Sequence, residues 1–127
     1  MLLLLDTHAF LWWNADDAAL GSEARAAIGD NDNIVFVSAA SAWEIAVKRS
    51  AGKLEAPRNI ADWIHENGFT PLATEVEHAL VSAELPSHHR DPFDRLLVAQ
   101  ARIEELTLVT SDPQITRYGI AILDAAA

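Results

Sequence analysis

Residues 1 to 13 read MLLLLDTHAFLWW, and the fold turns on the stretch Leu2-Leu3-Leu4-Leu5-Asp6. A membrane span needs about 18 apolar residues, and Asp6 interrupts this run long before that. No basic segment precedes it, so it does not read as a secretory signal. A short apolar run that ends on a carboxylate suits a strand buried on both faces, the pattern of a parallel sheet.

The rest of the chain repeats that pattern. Thr7 to Asn14 reads as one or two helical turns, and Ser22 to Ile28 as a short helix stopping at Gly29. Ile34-Val35-Phe36-Val37 is β-branched and aromatic, a second strand. Ser38 or Ser41 caps the next helix, which runs through Trp43, Ile45, Ala46 and Val47 to Ala51 and stops at Gly52. Arg58 to Asn67 is a helix with Ile60, Trp63 and Ile64 on one face, followed by a short strand over Phe69 to Leu72. Glu75 to Leu85 has Val76, Ala79, Leu80 and Ala83 at helical spacing. Pro92 to Glu105 is helical, Leu106 to Val109 a strand, Pro113 to Tyr118 a short helix and Ile120 to Leu123 a last strand. Strands alternate with helices throughout, which predicts an α/β fold with a mostly parallel central sheet and helices on both faces. The three terminal alanines read as a frayed end.

The 127 residues fit a single domain spanning 1–127, and with half of them hydrophobic one core is well supplied. No cysteine is present, which excludes disulfides, thiolate metal sites and a cysteine nucleophile and suits a reducing cytoplasm. The net charge of −10 excludes a simple basic footprint for nucleic acid. A polyanionic substrate would need local positive charge, which a bound divalent metal supplies.

The acids are placed unevenly along this frame. Asp6 directly follows the first strand, and Asp112 follows LTLVT by one residue. Both belong at the carboxyl edge of the sheet, where such folds bind ligands. Glu44 lies about a turn into the helix after IVFV, and Asp94 lies in the first turn of the helix opened by Asp91-Pro92-Phe93-Asp94. At about 5 Å and an effective dielectric of about 20, each pair of such charges repels by roughly 3 kcal/mol. A divalent cation would reverse that sign, and hard oxygen ligands suit Mg²⁺ or Mn²⁺. Each acid also has a second reading as a helix cap. Asp91 before Pro92 is a good N-cap, Asp112-Pro113 repeats it, Ser41-Ala42-Trp43-Glu44 matches a capping box, and Asp6 would cap the first helix. Against this, Asp91 already fills its cap, leaving Asp94 spare, and a lone carboxylate at Glu44 between Trp43 and Ile45 is costly if buried.

Other constellations carry less. His88 and His89 are candidates for metal or phosphate contact, but no histidine pairing has zinc-site spacing. His8 reads as packed beside the first helix, and His65 and His78 as surface residues. The serines lack the setting of a hydrolase triad, and the glycines form no phosphate loop. Trp12, Trp13, Trp43 and Trp63 read as core or interface residues.

Four segments, LLLLDTHAFLWW, SAASAWEIAVKRSAGKL, HHRDPFDRLLVAQA and LTLVTSD, together resemble the PIN-domain family, and within it the VapC-like toxins of toxin–antitoxin pairs. The resemblance covers nearly the whole chain. It implies a PIN-like three-layer α/β/α fold with a central sheet of four to five strands. It implies a ribonuclease dependent on Mg²⁺ or Mn²⁺, leaving a 3′-hydroxyl and a 5′-phosphate. Asp6, Glu44, Asp94 and Asp112 match the family's acidic positions. Asp91, Thr7, Thr110 and Ser111 are then candidates to orient those acids, and Lys48, Arg49, Lys53, Arg90 and Arg95 to receive the RNA backbone. A homodimer and an antitoxin protein are the implied partners. Two rivals are weaker: a receiver-like signalling domain, for which no lysine follows Lys53, and a non-catalytic binding module on the same fold.

Overall fold

The computed structural model describes residues 1–56 and 59–127. Five strands form one parallel sheet: β1 (Leu2–Leu5), β2 (Ile34–Ser38), β3 (Thr70–Leu72), β4 (Thr107–Thr110) and β5 (Ile122–Asp124), in the order β3-β2-β1-β4-β5. The helices between them are α1 (Thr7–Ala15), α2 (Ser22–Gly29), α3 (Ala39–Ser50), α4 (Ile60–Glu66), α5 (Val76–Glu84) and α6 (Pro92–Ile103), with a 3-10 turn at Ile115–Tyr118.

Alternation along β1 explains the three layers. Leu3 and Leu5 join Val35, Val37 and Val109 on one sheet face, under Phe10 of α1, Ile28 of α2 and Ile64 of α4. Leu4 joins Leu108 on the other face, under Leu97, Val98 and Ala101 of α6. A strand with a helix layer on each side has to be apolar at every position, which is why LLLL lacks the polar alternation of an edge strand. The strand order reverses direction between β1 and β4. A crevice opens at such a point beyond the carboxyl ends of the two strands, and both strands run straight into acids there.

Several boundaries and faces differ from the sequence expectation. The helix expected from Arg58 begins at Ile60, and Arg58 itself lies outside the described residues. The cap of α3 is Ser38, whose side chain accepts from the Ala40 amide at 3.0 Å; Ser41 is buried one turn further on. The apolar stripe of α5 picked out by helical spacing faces outward. Val76 and Leu80 are 76% and 63% exposed, and the residue turned inward is His78, at 1%. Its Nδ1 accepts from the Glu75 amide at 2.9 Å and its Nε2 meets Glu104 Oε1 at 3.0 Å, so the imidazole is a satisfied core group instead of a surface one.

The terminal alanines are not frayed either. Ala125 is fully buried, and the Ala127 oxygen accepts from the Glu23 and Ala24 amides at the start of α2. Those amides have no partner within their helix, so the chain end supplies one. The fit is close: a Cβ built on Gly21 would lie 1.9 Å from the Ala127 oxygen. Among the described residues no helix is long and apolar enough to cross a membrane.

Candidate metal centre

Asp6 leaves β1 at the crevice and is buried. It does cap α1, accepting from the Ala9 amide at 2.7 Å, but its carboxylate is also part of the crevice wall. Burial pushes its pKa up, opposed by hydrogen bonds from the Thr110 side chain and the Ala9 amide, while the charge of Asp112 adds to the rise. Thr110 therefore ties two acids together: its hydroxyl bonds Asp6 and accepts from the Asp112 amide at 3.1 Å.

Asp112 arrives from the end of β4. Its Oδ1 accepts from the Gln114 amide at 2.9 Å, the local turn contact expected of Asp before Pro, and its Oδ2 points into the crevice. Asp94 comes from the first turn of α6. Asp91 fills the cap, accepting from the Phe93 amide at 2.8 Å, so Asp94 has no capping duty. Burial raises the Asp94 pKa to about 7, with the charges of Asp91, Glu44 and Asp6 pushing the same way against His89. Four carboxylates from distant segments thus act on one another across a single site. Asp6, Asp94 and Asp112, with His8, Trp12 and Ser111, line a pocket of about 290 Å³.

Glu44 is buried on α3 and takes no part in a capping box. Its Oε1 lies 2.6 Å from the Thr7 hydroxyl and its Oε2 2.5 Å from Lys48 Nζ, and Thr7 also reaches Ser41 Oγ at 3.1 Å. The hydrogen bond to Glu44 is the main reason the Lys48 pKa is raised. A buried carboxylate is held here by a hydroxyl and an ammonium, which removes the cost that made it suspicious in the sequence.

Sequence reasoning gave His89 only a minor place. The structure puts its Nε2 2.7 Å from Asp112 Oδ2 and 3.2 Å from Asp94 Oδ2. Among the described residues, ligand atoms of His89, Asp94 and Asp112 all lie within 4.8 Å of one another. Adjacent histidines point in different directions, and nothing in HHR distinguishes them; His88 instead packs edge-on against Tyr118, with ring centroids 5.0 Å apart. His8 is exposed on α1 with its ring against Trp12, at the mouth of the acidic pocket.

The expected RNA-facing cations divide. Arg90 and Lys53 are exposed and Arg49 is half-buried. Arg95 is turned inward instead, and its guanidinium donates to the carbonyls of Pro86, His89, Ser82 and Leu85 at 2.8 to 3.1 Å. It clamps the end of α5 and the following loop onto α6, so the RNA-contact expectation is withdrawn for it. Trp12, Trp13 and Trp63 are half-buried against the core, while Trp43 is 61% exposed beside Phe93.

The donors fit a hard divalent cation. Carboxylate oxygens converge in a half-buried crevice, and burial and like charge raise the pKa of the Asp94 carboxyl among them to about 7. A cation among them would offset both effects.

This crevice lies at the reversal point of a parallel sheet and is walled by acids that follow β1 and β4 and by one from α6. The chain belongs to the PIN-domain family, which it matches over residues 3–121. It is 30% identical over 123 residues to ribonuclease VapC22 of Mycobacterium tuberculosis, covering 91% of each chain. It is 38% identical over 61 residues to ribonuclease VapC16 of the same organism, covering 45% of this chain and 43% of VapC16. The fold is shared with solved structures. VapBC2 from Rickettsia felis, bound to a DNA fragment from its promoter, superposes with a TM-score of 0.70 at 15% identity, over 97% of this chain and 98% of that one. DNA-bound VapBC from Salmonella typhimurium gives 0.68 at 18% identity over 98% of each.

Proposed function

We propose that this chain is a metal-dependent endoribonuclease, a single PIN domain over 1–127 that hydrolyses RNA phosphodiester bonds as the toxin of a toxin–antitoxin pair. The observation that carries the reading is the gathering of Asp6, Asp94 and Asp112 in one crevice of a chain related along its length to ribonuclease VapC22. Asp6 and Asp94 would hold Mg²⁺ or Mn²⁺, with Glu44 and Asp112 completing the set or serving a second ion. When bound, such an ion lowers the pKa of water toward neutrality and neutralises charge developing on the phosphodiester.

The chain's own groups prepare that site. Thr110 keeps Asp6 and Asp112 in register, Thr7 and Lys48 hold Glu44, and Asp91 ends the loop so that Asp94 projects from a rigid first turn. Ser111 stands exposed at the pocket edge, within reach of a substrate. Arg90 and Lys53 are exposed and, with Arg49 and Lys48 beside the acids, would meet the RNA backbone. The VapC names and the VapBC complexes among the relatives support an antitoxin protein as partner. The exposed apolar residues of α5 suit a homodimer. The cysteine-free composition suits a cytoplasmic location.

The test is Asp6→Asn. Asparagine also caps helices, so α1 and the circular dichroism spectrum should be retained while RNA cleavage in Mg²⁺ or Mn²⁺ is abolished. Cleavage at the wild-type rate by the folded variant would remove Asp6 from the metal centre.

A further inference from the structure

We propose that His89 is a positioning residue whose Nε2–H holds Asp112 in place for the cation, and that it is not itself a nitrogen ligand. This rests on the metal-centre reading above, and goes beyond it by assigning a role to the imidazole that reaches the crevice oxygens.

The argument starts at the other ring nitrogen. The Asp91 amide donates to His89 Nδ1 at 3.0 Å. Nδ1 is therefore the bare nitrogen, and Nε2 carries the ring proton. That proton faces Asp112 Oδ2 at 2.7 Å, with Asp94 Oδ2 further off at 3.2 Å. For Nε2 to bind a cation, the proton would have to move to Nδ1. It would then oppose the Asp91 N–H, and both hydrogen bonds would be lost at once.

The ring is also built in. The His89 amide donates to the Tyr118 hydroxyl at 2.9 Å, that hydroxyl donates to the Pro86 carbonyl at 2.7 Å, and Arg95 donates to the His89 carbonyl at 3.1 Å. The 3-10 turn and α6 thus fix the residue from two sides. Asp112 in turn is held at both oxygens, by the Gln114 amide on Oδ1 and by His89 on Oδ2, and each oxygen keeps a lone pair for a cation. The imidazole acts on the metal through the carboxylate, and the cation sees oxygen donors only. That donor set favours Mg²⁺ and Mn²⁺ over metals that prefer imidazole.

Three readouts on the full chain decide this. The ring tautomer of His89 in metal-free protein is read by two-bond ¹H–¹⁵N spectra, and the Nε2–H form is expected. Mn²⁺ affinity is measured by calorimetry for wild type, His89→Ala and His89→Gln, each confirmed folded by circular dichroism. Loss of the donor is expected to weaken binding roughly tenfold or more. Glutamine, whose amide N–H can stand where Nε2–H stood, should restore most of it. Pulsed electron paramagnetic resonance of the wild-type Mn²⁺ complex should show no imidazole nitrogen coupling. Nitrogen coupling that vanishes in His89→Gln, an Nδ1–H tautomer, or wild-type affinity in His89→Ala would each overturn the proposal. Absence of any Mn²⁺ binding by wild type would overturn the metal centre instead, while the tautomer spectrum would still decide the donor assignment.

Discussion

Asp94 concentrates the electrostatics of the molecule in one carboxyl group. Its pKa is about 7 in the folded chain against an ordinary value of 3.8. A folded-state value raised in this way means that the unfolded chain gives up the proton first as pH climbs. Between about pH 4 and 7 the metal-free fold loses stability on this account, and above pH 7 the loss is complete. Below pH 4 both states keep the proton and nothing is lost. At 1.36 kcal/mol per pKa unit the full effect is on the order of a few kcal/mol. Asp94→Asn should therefore raise the melting temperature at pH 8 in EDTA by several degrees, and by much less at pH 4. An equal gain at both pH values, or a loss at pH 8, would remove the charge repulsion from the account. The same proton must leave before a cation binds, so Mn²⁺ affinity should climb with pH to about 7 and then level off. Calorimetry across that range checks it, and a flat profile would contradict it. At this scale the sequence was readable where an acid met a strand end. Asp6 and Asp112 follow β-branched or leucine runs, so their place at the carboxyl edge follows from strand direction alone. His89 was not readable, because its role depends on a backbone amide two residues away.

Elements were harder to read where a helix has two plausible faces. On α5, Val76, Ala79, Leu80 and Ala83 are a good helical stripe, yet they face outward and His78 faces in. Periodicity reports that one face is apolar; it does not report which face the sheet receives, and a histidine satisfied by Glu75 and Glu104 can be buried as readily as a leucine. A charge at Leu80 should therefore leave the monomer's fold intact. Leu80→Glu is expected to shift unfolding free energy by less than about 0.5 kcal/mol, measured by urea titration, and to weaken any homodimer seated on α5. A drop of several kcal/mol would mean that the stripe is core after all. Arg95 was misread for the opposite reason. In sequence it is a cation beside an acidic motif, and in space it is the clamp between the end of α5 and α6. Arg95→Lys keeps the charge but loses the fork that reaches several carbonyls at once. It should lower stability by about 1.5–3 kcal/mol in the same titration. An unchanged midpoint would show that charge near the motif, and not the clamp, is what matters.

The whole molecule explains why distant acids meet. A parallel sheet places the ends of β1 and β4 side by side, and its strand order reverses between them, so one crevice collects Asp6 and Asp112 while α6 brings Asp94 across it. For Asp6 and Asp112 that much was legible from the apolar runs of β1 and β4 and the acids that follow them. The closure at the chain end was not, since AAA carries no signal and its partner is the bare amide start of α2. The central claim is that the crevice binds a divalent cation in order to cut RNA. The direct measurement is cleavage of RNA by the purified chain with Mg²⁺ or Mn²⁺ and again in EDTA, beside Asp94→Asn. Cutting that needs the metal and disappears in a folded Asp94→Asn is the predicted result. Cutting that persists in EDTA, or in Asp94→Asn at the wild-type rate, would contradict the account.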